Sequence, residues 1–227
     1  MAAELQPRIV HLDDSLAVVD KPAGLVVHPA PGHRGATLAE ALADILGGGA
    51  DPERPGIVHR LDKGTSGLLV VARDEATHAA LQAQVRAREV ERVYLALAGG
   101  RLPSRTGTID APIGRSARER HRMAVAGAGS REARTHFEVL ELLARESYVE
   151  VRLETGRTHQ IRAHFAAIGH PLTGDATYGG PMRYGLRRQF LHAHRLAFDH
   201  PATGERVRFE SPLPADLAAA LEQARAA

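Results

Sequence analysis

One dense knot of polar residues, His59-Arg60-Leu61-Asp62-Lys63-Gly64-Thr65-Ser66-Gly67, stands directly before the apolar run Leu68-Leu69-Val70-Val71. A short aliphatic run bounded by turn residues reads as a buried strand. Gly56-Ile57-Val58, on the other side of the knot, reads as the start of a second. Asp62 is thereby confined to a short loop between two core strands, where a rigid scaffold can aim a side chain. Cations on either side favour its ionised form. An ionised, aimed carboxylate can serve as nucleophile or base, and an electropositive rim suits a phosphate-bearing substrate. The same pattern also fits an Asp that only caps the Gly-Thr-Ser-Gly turn, so residues elsewhere in the chain have to decide.

A length of 227 residues fits one large domain or two small ones, and 44% hydrophobic residues suffice for a proper core. No run of about 18 apolar residues exists, which excludes a transmembrane helix as an expectation. The segment Met1 to Arg8 lacks the charged-then-apolar layout of a secretory signal. Absence of cysteine excludes disulfides and thiolate metal sites and fits a cytoplasmic location. The net charge is only +2, yet residues 101–135 hold eight Arg against three acids. That local excess suggests an element facing a polyanion, with a merely solvated loop as the other reading. The chain has only two Lys, and both fall in motif-like places, Asp20-Lys21-Pro22-Ala23-Gly24 and Asp62-Lys63-Gly64.

Apolar patterning gives an outline of the fold. Arg8 to Leu12 and Leu16 to Val19 flank an Asp13-Asp14-Ser15 turn as a hairpin. Thr37 is placed to cap a helix through Leu38, Leu42, Ile45 and Leu46 that ends at Gly47. Residues 75–88 read as an amphipathic helix, and Val90 to Ala98 as a strand. Residues 101–131 read as a basic, turn-rich excursion. Arg134 to Leu143 and Tyr148 to Leu153 are expected strands. Thr158 is placed to cap a helix with Ile161, Phe165 and Ile168 on its buried face. Leu191 to Phe198 pairs with Val207 to Phe209, and residues 214–226 close the chain as a helix. Strands outnumber helices and many join as hairpins. The expected class is α+β, a mixed, mostly antiparallel central sheet flanked by helices.

A second polar motif, Glu154-Thr155-Gly156-Arg157-Thr158-His159-Gln160-Ile161-Arg162, leads through a Gly turn into a helix start, where free N–H groups favour anions. Arg162 falls about 100° round from Ile161, at the border of the buried face. A border Arg can pair with a carboxylate in a cleft. Tyr94 lies in Val93-Tyr94-Leu95-Ala96-Leu97, and alternation sends it with Ala96 to the face opposite the apolar residues, where a phenol could stack on a base. Thirteen His raise the question of a metal, but no His-Glu-x-x-His pattern occurs, and no metal site is expected. Neither a phosphate-binding Gly loop of the Walker type nor a dinucleotide glycine pattern is present, so no cofactor is expected.

With these motifs in hand the chain resembles the RluA-type family of RNA pseudouridine synthases, closest to the branch acting on large-subunit ribosomal RNA. The resemblance runs from about Ile9 to the C-terminal helix. It rests on Asp20 to Gly24, Pro55 to Ala72, Val93 to Ala96, Leu153 to His164 and His170 to Tyr178. It implies a single catalytic domain over residues 1–227 without the S4-type RNA-binding domain that ribosomal relatives commonly carry. It also implies a cofactor-free isomerase, monomeric and not bound to a membrane, that converts uridine to pseudouridine in structured RNA. Ribosomal RNA is favoured as partner and transfer RNA remains open. By the same resemblance Asp62 is the catalytic aspartate, Tyr94 the active-site tyrosine and Arg162 the basic partner of the aspartate. His59, Arg60, Arg157, His159 and Gln160 match positions that shape the RNA-facing pocket. Arg115, Arg118, Arg120 and Arg122, in the basic excursion, are the expected phosphate contacts, joined by the cluster Arg183, Arg187 and Arg188.

Two other classes fit parts of the pattern. A nucleoside hydrolase would need a second carboxylate, for which only Glu154 and Asp175 offer themselves in the motifs. A non-catalytic RNA-binding module would explain the basic segment but leave Asp62 without a purpose.

Overall fold

A computed structural model describes residues 6–28, 35–49, 51, 55–119 and 122–227. The chain divides into two compact units, Met1–Glu91 with Ala193–Ser211, and Arg92–His192 with Pro212–Ala227.

The first unit is built on β1 (Arg8–Leu12) and β2 (Leu16–Lys21), an antiparallel pair. Their turn is fixed by Asp13, whose Oδ1 accepts the amides of Ser15 at 2.8 Å and Leu16 at 2.9 Å. β2 then pairs antiparallel with β3 (Ser66–Ala72), from Leu16 opposite Ala72 to Lys21 opposite Gly67. All seven residues of β3 are buried, the signature of a strand covered on both faces. β11 (Leu191–Asp199) lies next to β3 and carries β12 (Arg206–Glu210) as its antiparallel partner. Leu16, Val18, Leu68, Val70, Leu196 and Phe198 form the core, which Leu81 of α2 (Glu75–Ala87) completes. Asp74 caps α2 by accepting the amide of Thr77 at 2.8 Å.

Gly67 is the one place in β3 where a glycine is indispensable. Its φ is +114°, and a Cβ there would stand 2.2 Å from the carbonyl oxygen of Ala193 on β11.

Two expectations fail in this unit. The helix capped by Thr37 does form, with a reciprocal Thr37–Glu40 capping box, but α1 is a single turn, Leu38–Ala41. The chain continues as turns because Gly47 forms a parallel bridge with Arg73, so close that a Cβ would lie 1.9 Å from the Arg73 oxygen. Glycine here marks a backbone contact and not merely a helix stop. Before Asp62, Gly56 to Val58 is not a strand: only Ile57 bridges Val71. Pro55 and the left-handed Gly56 (φ +64°) turn the chain away.

In the second unit β4 (Glu91–Gly99), β10 (Glu146–Leu153), β9 (Arg134–Leu142) and β5 (Thr106–Asp110) lie in the order β4-β10-β9-β5, all antiparallel. Leu95, Leu97, Tyr148 and Phe190 pack with Leu217 and Leu221 of α4 (Ala215–Arg225). Every residue of β4 after Glu91 is buried, so Tyr94 and Ala96 are covered as well as the opposite face. The excursion predicted as turn-rich holds β5 and a separate sheet: β6 (Ile113–Arg115), β7 (Met123–Val125) and β8 (Ala128–Arg131), ordered β7-β6-β8. Strands of three or four residues are too short to show an apolar alternation.

α3 (Gln160–Ala167) buries Ile161 and Phe165 as expected, but Ile168 lies past the helix end and is 39% exposed. Thr158 does not cap it. The cap position belongs to His159, in the left-handed region at φ +55°, with no side-chain cap bond. Across both units every strand pair with a described register is antiparallel and the parallel contacts are isolated bridges, in keeping with the expected α+β class.

Candidate active site

In the first unit the loop carrying Asp62 is held by its own backbone. The Asp62 carbonyl accepts the amide of Thr65 at 3.0 Å, closing the turn the motif foretold. The next carbonyl, of Lys63, accepts the amide of Gly24 at 2.7 Å and the ammonium of Lys21 at 3.4 Å. Lys21 is wholly buried, and its Nζ also donates to the carbonyls of Pro22 and Leu25, each at 2.9 Å. A buried ammonium is stable only when carbonyls replace its water. The Asp20-to-Gly24 motif therefore serves as the clasp of the Asp62 loop. Leu61 is buried and anchors the loop from below, while Asp62 is half-buried and Lys63 exposed. His59 Nε2 accepts the amide of Val70 at 3.3 Å, which ties the start of the loop to β3. Arg60 is exposed, with its Nη1 3.2 Å from Nε2 of the buried His28.

In the second unit Tyr94 lies on β4, 6% exposed. Arg162 is more buried than its border position implied, and Asp175 grips it: Nε donates to Oδ2 at 2.7 Å and Nη2 to Oδ1 at 2.9 Å. In the sequence Asp175 stands only as a spare acid. Nothing in the spacing of 13 residues announces the pair, because the intervening chain returns through a loop.

Gln160 is buried, and its amide is fully engaged by protein. Nε2 donates to the Arg134 carbonyl and to Thr135 Oγ1, both at 3.0 Å, and Oε1 accepts from Thr155 Oγ1 at 2.8 Å and the Arg157 amide at 2.9 Å. A primary amide offers two donors and two acceptor lone pairs, so none remains for RNA. Gln160 shapes the turn from Thr155 to Arg157 and ties it to β9. The half-buried Arg157 donates through Nε to the carbonyl of Glu132 at 2.9 Å. His164, wholly buried, bridges Thr135 Oγ1 and the carbonyl of Ala111, each at 2.9 Å. Burial pushes its imidazole below the usual range, so it is neutral.

The other spare acid is also committed. Glu154 receives His136 at 2.6 Å and Arg134 at 3.0 Å. The hydrogen bond from His136, and secondarily the one from Arg134, hold its carboxyl below the ordinary range against some cost of burial. Both spare acids are thus held in ion pairs by neighbouring side chains.

Of the basic set, Arg115 and Arg118 are exposed, Arg122 is half-buried and pairs with Glu119 at 2.6 Å, and Arg120 lies outside the described residues. Within the cluster of residues 183–188, Arg183 pairs with the buried Glu146 at 2.8 Å and Arg188 forks onto Asp216 at 2.7 and 3.0 Å. These two guanidinium groups brace the second unit, whereas Arg187, like Arg115 on β6 and Arg131 on β8, is exposed.

Among the described residues one cluster could be asked to hold a metal: His11, Asp13 and His200. Both Nε2 atoms meet Asp13 Oδ2, at 2.6 and 3.0 Å. Yet His200 Nδ1 accepts the amide of Ala202 at 3.2 Å, so the proton of the neutral ring sits on Nε2. A metal-binding imidazole has the reverse arrangement, a lone pair toward the ion and a donor behind. The donor set fits a hydrogen-bonded staple between two turns. Burial raises the Asp13 carboxyl, but the bonds from His200, Leu16, His11 and Ser15 outweigh it and hold the group far below the ordinary range.

Comparison with known proteins bears on all of this. Residues 15–167 match the family model described as RNA pseudouridylate synthase. A protein of Pseudomonas aeruginosa named ribosomal large subunit pseudouridine synthase D is 49% identical over 230 residues, covering 96% of this chain and 71% of its own length. An uncharacterized RNA pseudouridine synthase of Bacillus subtilis is 47% identical over 228 residues, covering 99% of this chain and 75% of the relative. Among solved structures, human RNA pseudouridylate synthase domain containing 1 superposes with a TM-score of 0.73 at 30% identity, over 92% of this chain and 84% of that one. Human RNA pseudouridylate synthase domain containing 4 gives 0.77 at 25% identity, over 96% and 93%. No helix among the described residues is long and apolar enough to cross a membrane. A half-buried carboxylate in a clasped loop, a buried strand tyrosine and a buried arginine stand on a fold shared with these proteins, and the chain belongs to the RNA pseudouridine synthase family.

Proposed function

We propose that the chain converts uridines of large-subunit ribosomal RNA to pseudouridine, with Asp62 as the reacting carboxylate. The observation that carries the reading is the Asp62 loop itself: a partly exposed carboxylate whose backbone is clasped by a buried ammonium and two amide donors. So much fixed structure under one half-buried side chain fits a group that must be aimed. The C1′–N1 bond breaks, the uracil turns, and C5 joins C1′ while the C5 proton is exchanged for one on N1. No atom is gained or lost. Asp62 either adds to C1′ or removes the 2′ proton. Tyr94 supplies a phenol to stack on the base or exchange its proton, and Arg162 supplies positive charge for the detached uracilate. The target base leaves its stack to react, and Arg60, exposed on the same loop, helps to shape the RNA-facing pocket. Arg115, Arg118, Arg120 and Arg122 take the phosphate backbone, and His59, Gln160, Arg157 and His159 hold the loops that frame the pocket. The chain is read as acting as a cytoplasmic monomer. Ribosomal RNA is favoured by the name of the Pseudomonas relative. Incubation with unmodified ribosomal and transfer RNA, followed by pseudouridine mapping, tests the target: efficient modification of transfer RNA alone overturns it, and release of free uracil overturns the chemistry.

A further inference from the structure

Tyr178 ends a 3-10 turn, Ala176–Tyr178, whose amide-capping group is Asp175. It is buried, 6% exposed, and three separate parts of the second unit meet on it. Its hydroxyl lies 3.0 Å from the amide nitrogen of Met123, 3.0 Å from the Met123 carbonyl and 3.1 Å from Nδ1 of His159. Its ring has the guanidinium of Arg122 4.9 Å from the centroid and that of Arg162 at 5.1 Å. Both distances are within the range of attraction between a cation and an aromatic face.

The hydroxyl has one proton and two lone pairs. The Met123 amide can only donate and the Met123 carbonyl can only accept. One lone pair and the one proton are then used on β7, and His159 must donate its Nδ1 proton to the remaining lone pair. This pattern fixes the tautomer of His159, whose backbone is left-handed at φ +55°. His159 directly precedes the helix that carries Arg162. Asp175, beneath the same turn, holds Arg162 by both Nε and Nη2. A single phenol therefore joins β7 of the basic sheet, the entrance of α3 and the setting of Arg162.

We propose that Tyr178 is a positioning residue that couples RNA held on the β6–β8 sheet to the placement of Arg162. Phosphate engagement near Arg115 and Arg122 fixes β7; β7 fixes the Tyr178 hydroxyl; and the ring and the Asp175 turn then set the guanidinium. This rests on the reading of Arg162 and the basic sheet given above, and it assigns Tyr178 no contact with substrate.

Tyr178→Phe keeps the ring and removes all three hydroxyl bonds. At saturating ribosomal RNA its kcat is expected to fall at least about tenfold, while RNA affinity stays within about twofold. The Met123 amide is expected to exchange its hydrogen faster, with the amides of β9 and β10 unchanged. Wild-type kcat, or a loss explained by affinity alone, overturns the proposal. Should Tyr178→Phe not fold, hydrogen exchange of the Met123 amide in the wild-type chain carries the test: it is expected to slow when ribosomal RNA binds, and an unchanged rate overturns the proposal. Asp62→Asn, assayed alongside, separates the two readings. Activity in Asp62→Asn removes the proposed chemistry, whereas an inactive Asp62→Asn beside a fully active Tyr178→Phe removes only the coupling.

Discussion

Asp175 holds Arg162 in a fork, Oδ2 at 2.7 Å from Nε and Oδ1 at 2.9 Å from Nη2, with both side chains buried. Bidentate pairing of this kind fixes the plane of a guanidinium as well as its position. The buried pair is costly to break from either side, because each partner alone is an uncompensated charge. Asp175→Ala is expected to destabilise the fold by about 3 to 5 kcal/mol in urea titration. A change below about 1 kcal/mol would show that solvent reaches the pair.

Asp62→Asn is expected to abolish turnover while the melting temperature and RNA affinity remain near wild type. The clasp on the loop runs through backbone carbonyls of Asp62 and Lys63, which the substitution leaves in place. Residual activity above roughly a tenth of wild type in a single-turnover assay contradicts the assignment.

Gly67→Ala is expected to destabilise the chain by more than about 2 kcal/mol. The methyl group has nowhere to go, since the Ala193 oxygen lies 2.2 Å from its position and the φ of +114° disfavours any L side chain. A thermal melt indistinguishable from wild type would mean that β11 can withdraw.

Replacing Arg115, Arg118 and Arg120 together by Ala is expected to weaken RNA binding at low salt. The slope of log K against log salt is expected to flatten by about 0.7 to 0.9 for each phosphate that these guanidinium groups no longer neutralise. Filter binding at several salt concentrations measures it, and an unchanged slope assigns the cluster to solvent.

Glu154→Gln is expected to lower the melting temperature at neutral pH. The carboxyl is held below its ordinary range by the hydrogen bond from His136 and by the one from Arg134. A depressed carboxyl contributes stability above its unfolded value, about 4.3, and loses it as pH falls through the folded value. The deficit of the variant is thus full at about pH 6 and shrinks below about pH 4. A deficit that persists unchanged at acid pH points to shape rather than charge.

Much of this was legible in the residues. The Asp13 turn, β3, α2, β9 to β12 and α4 each announce themselves by apolar period or a capping residue, and local chemistry decides them. The failures have more than one cause: the β6–β8 strands are too short to show a period, the cap of α3 falls one residue later than Thr158, and elsewhere distant backbone decides. Gly47 looks like a helix stop but is a contact with Arg73, and Gly56 looks like a strand start but is a left-handed turn. Side-chain partners 13 or more residues apart leave no local trace. Asp175 on Arg162, and Tyr178 on Met123, arise only when the loops fold back. Gln160 shows the converse: its place in a polar motif suggests an RNA-facing role, yet burial turns all four of its hydrogen-bonding positions inward.

A small sheet standing apart from the main one is an invitation to aggregation, since unpaired strand edges recruit other chains. Here both edges are spoiled for that purpose. On β7 the amide and carbonyl of Met123 are already taken by the Tyr178 hydroxyl. On β8 the pairing with β6 shifts register between Ile113 and Arg115, Gly129 turns left-handed at φ +63°, and Arg131 adds an exposed charge. The protein can therefore display Arg115 and Arg131 on this small sheet without offering a template for strand addition, and substitutions that straighten β8 or free Met123 would be felt first as poorer solubility at high concentration.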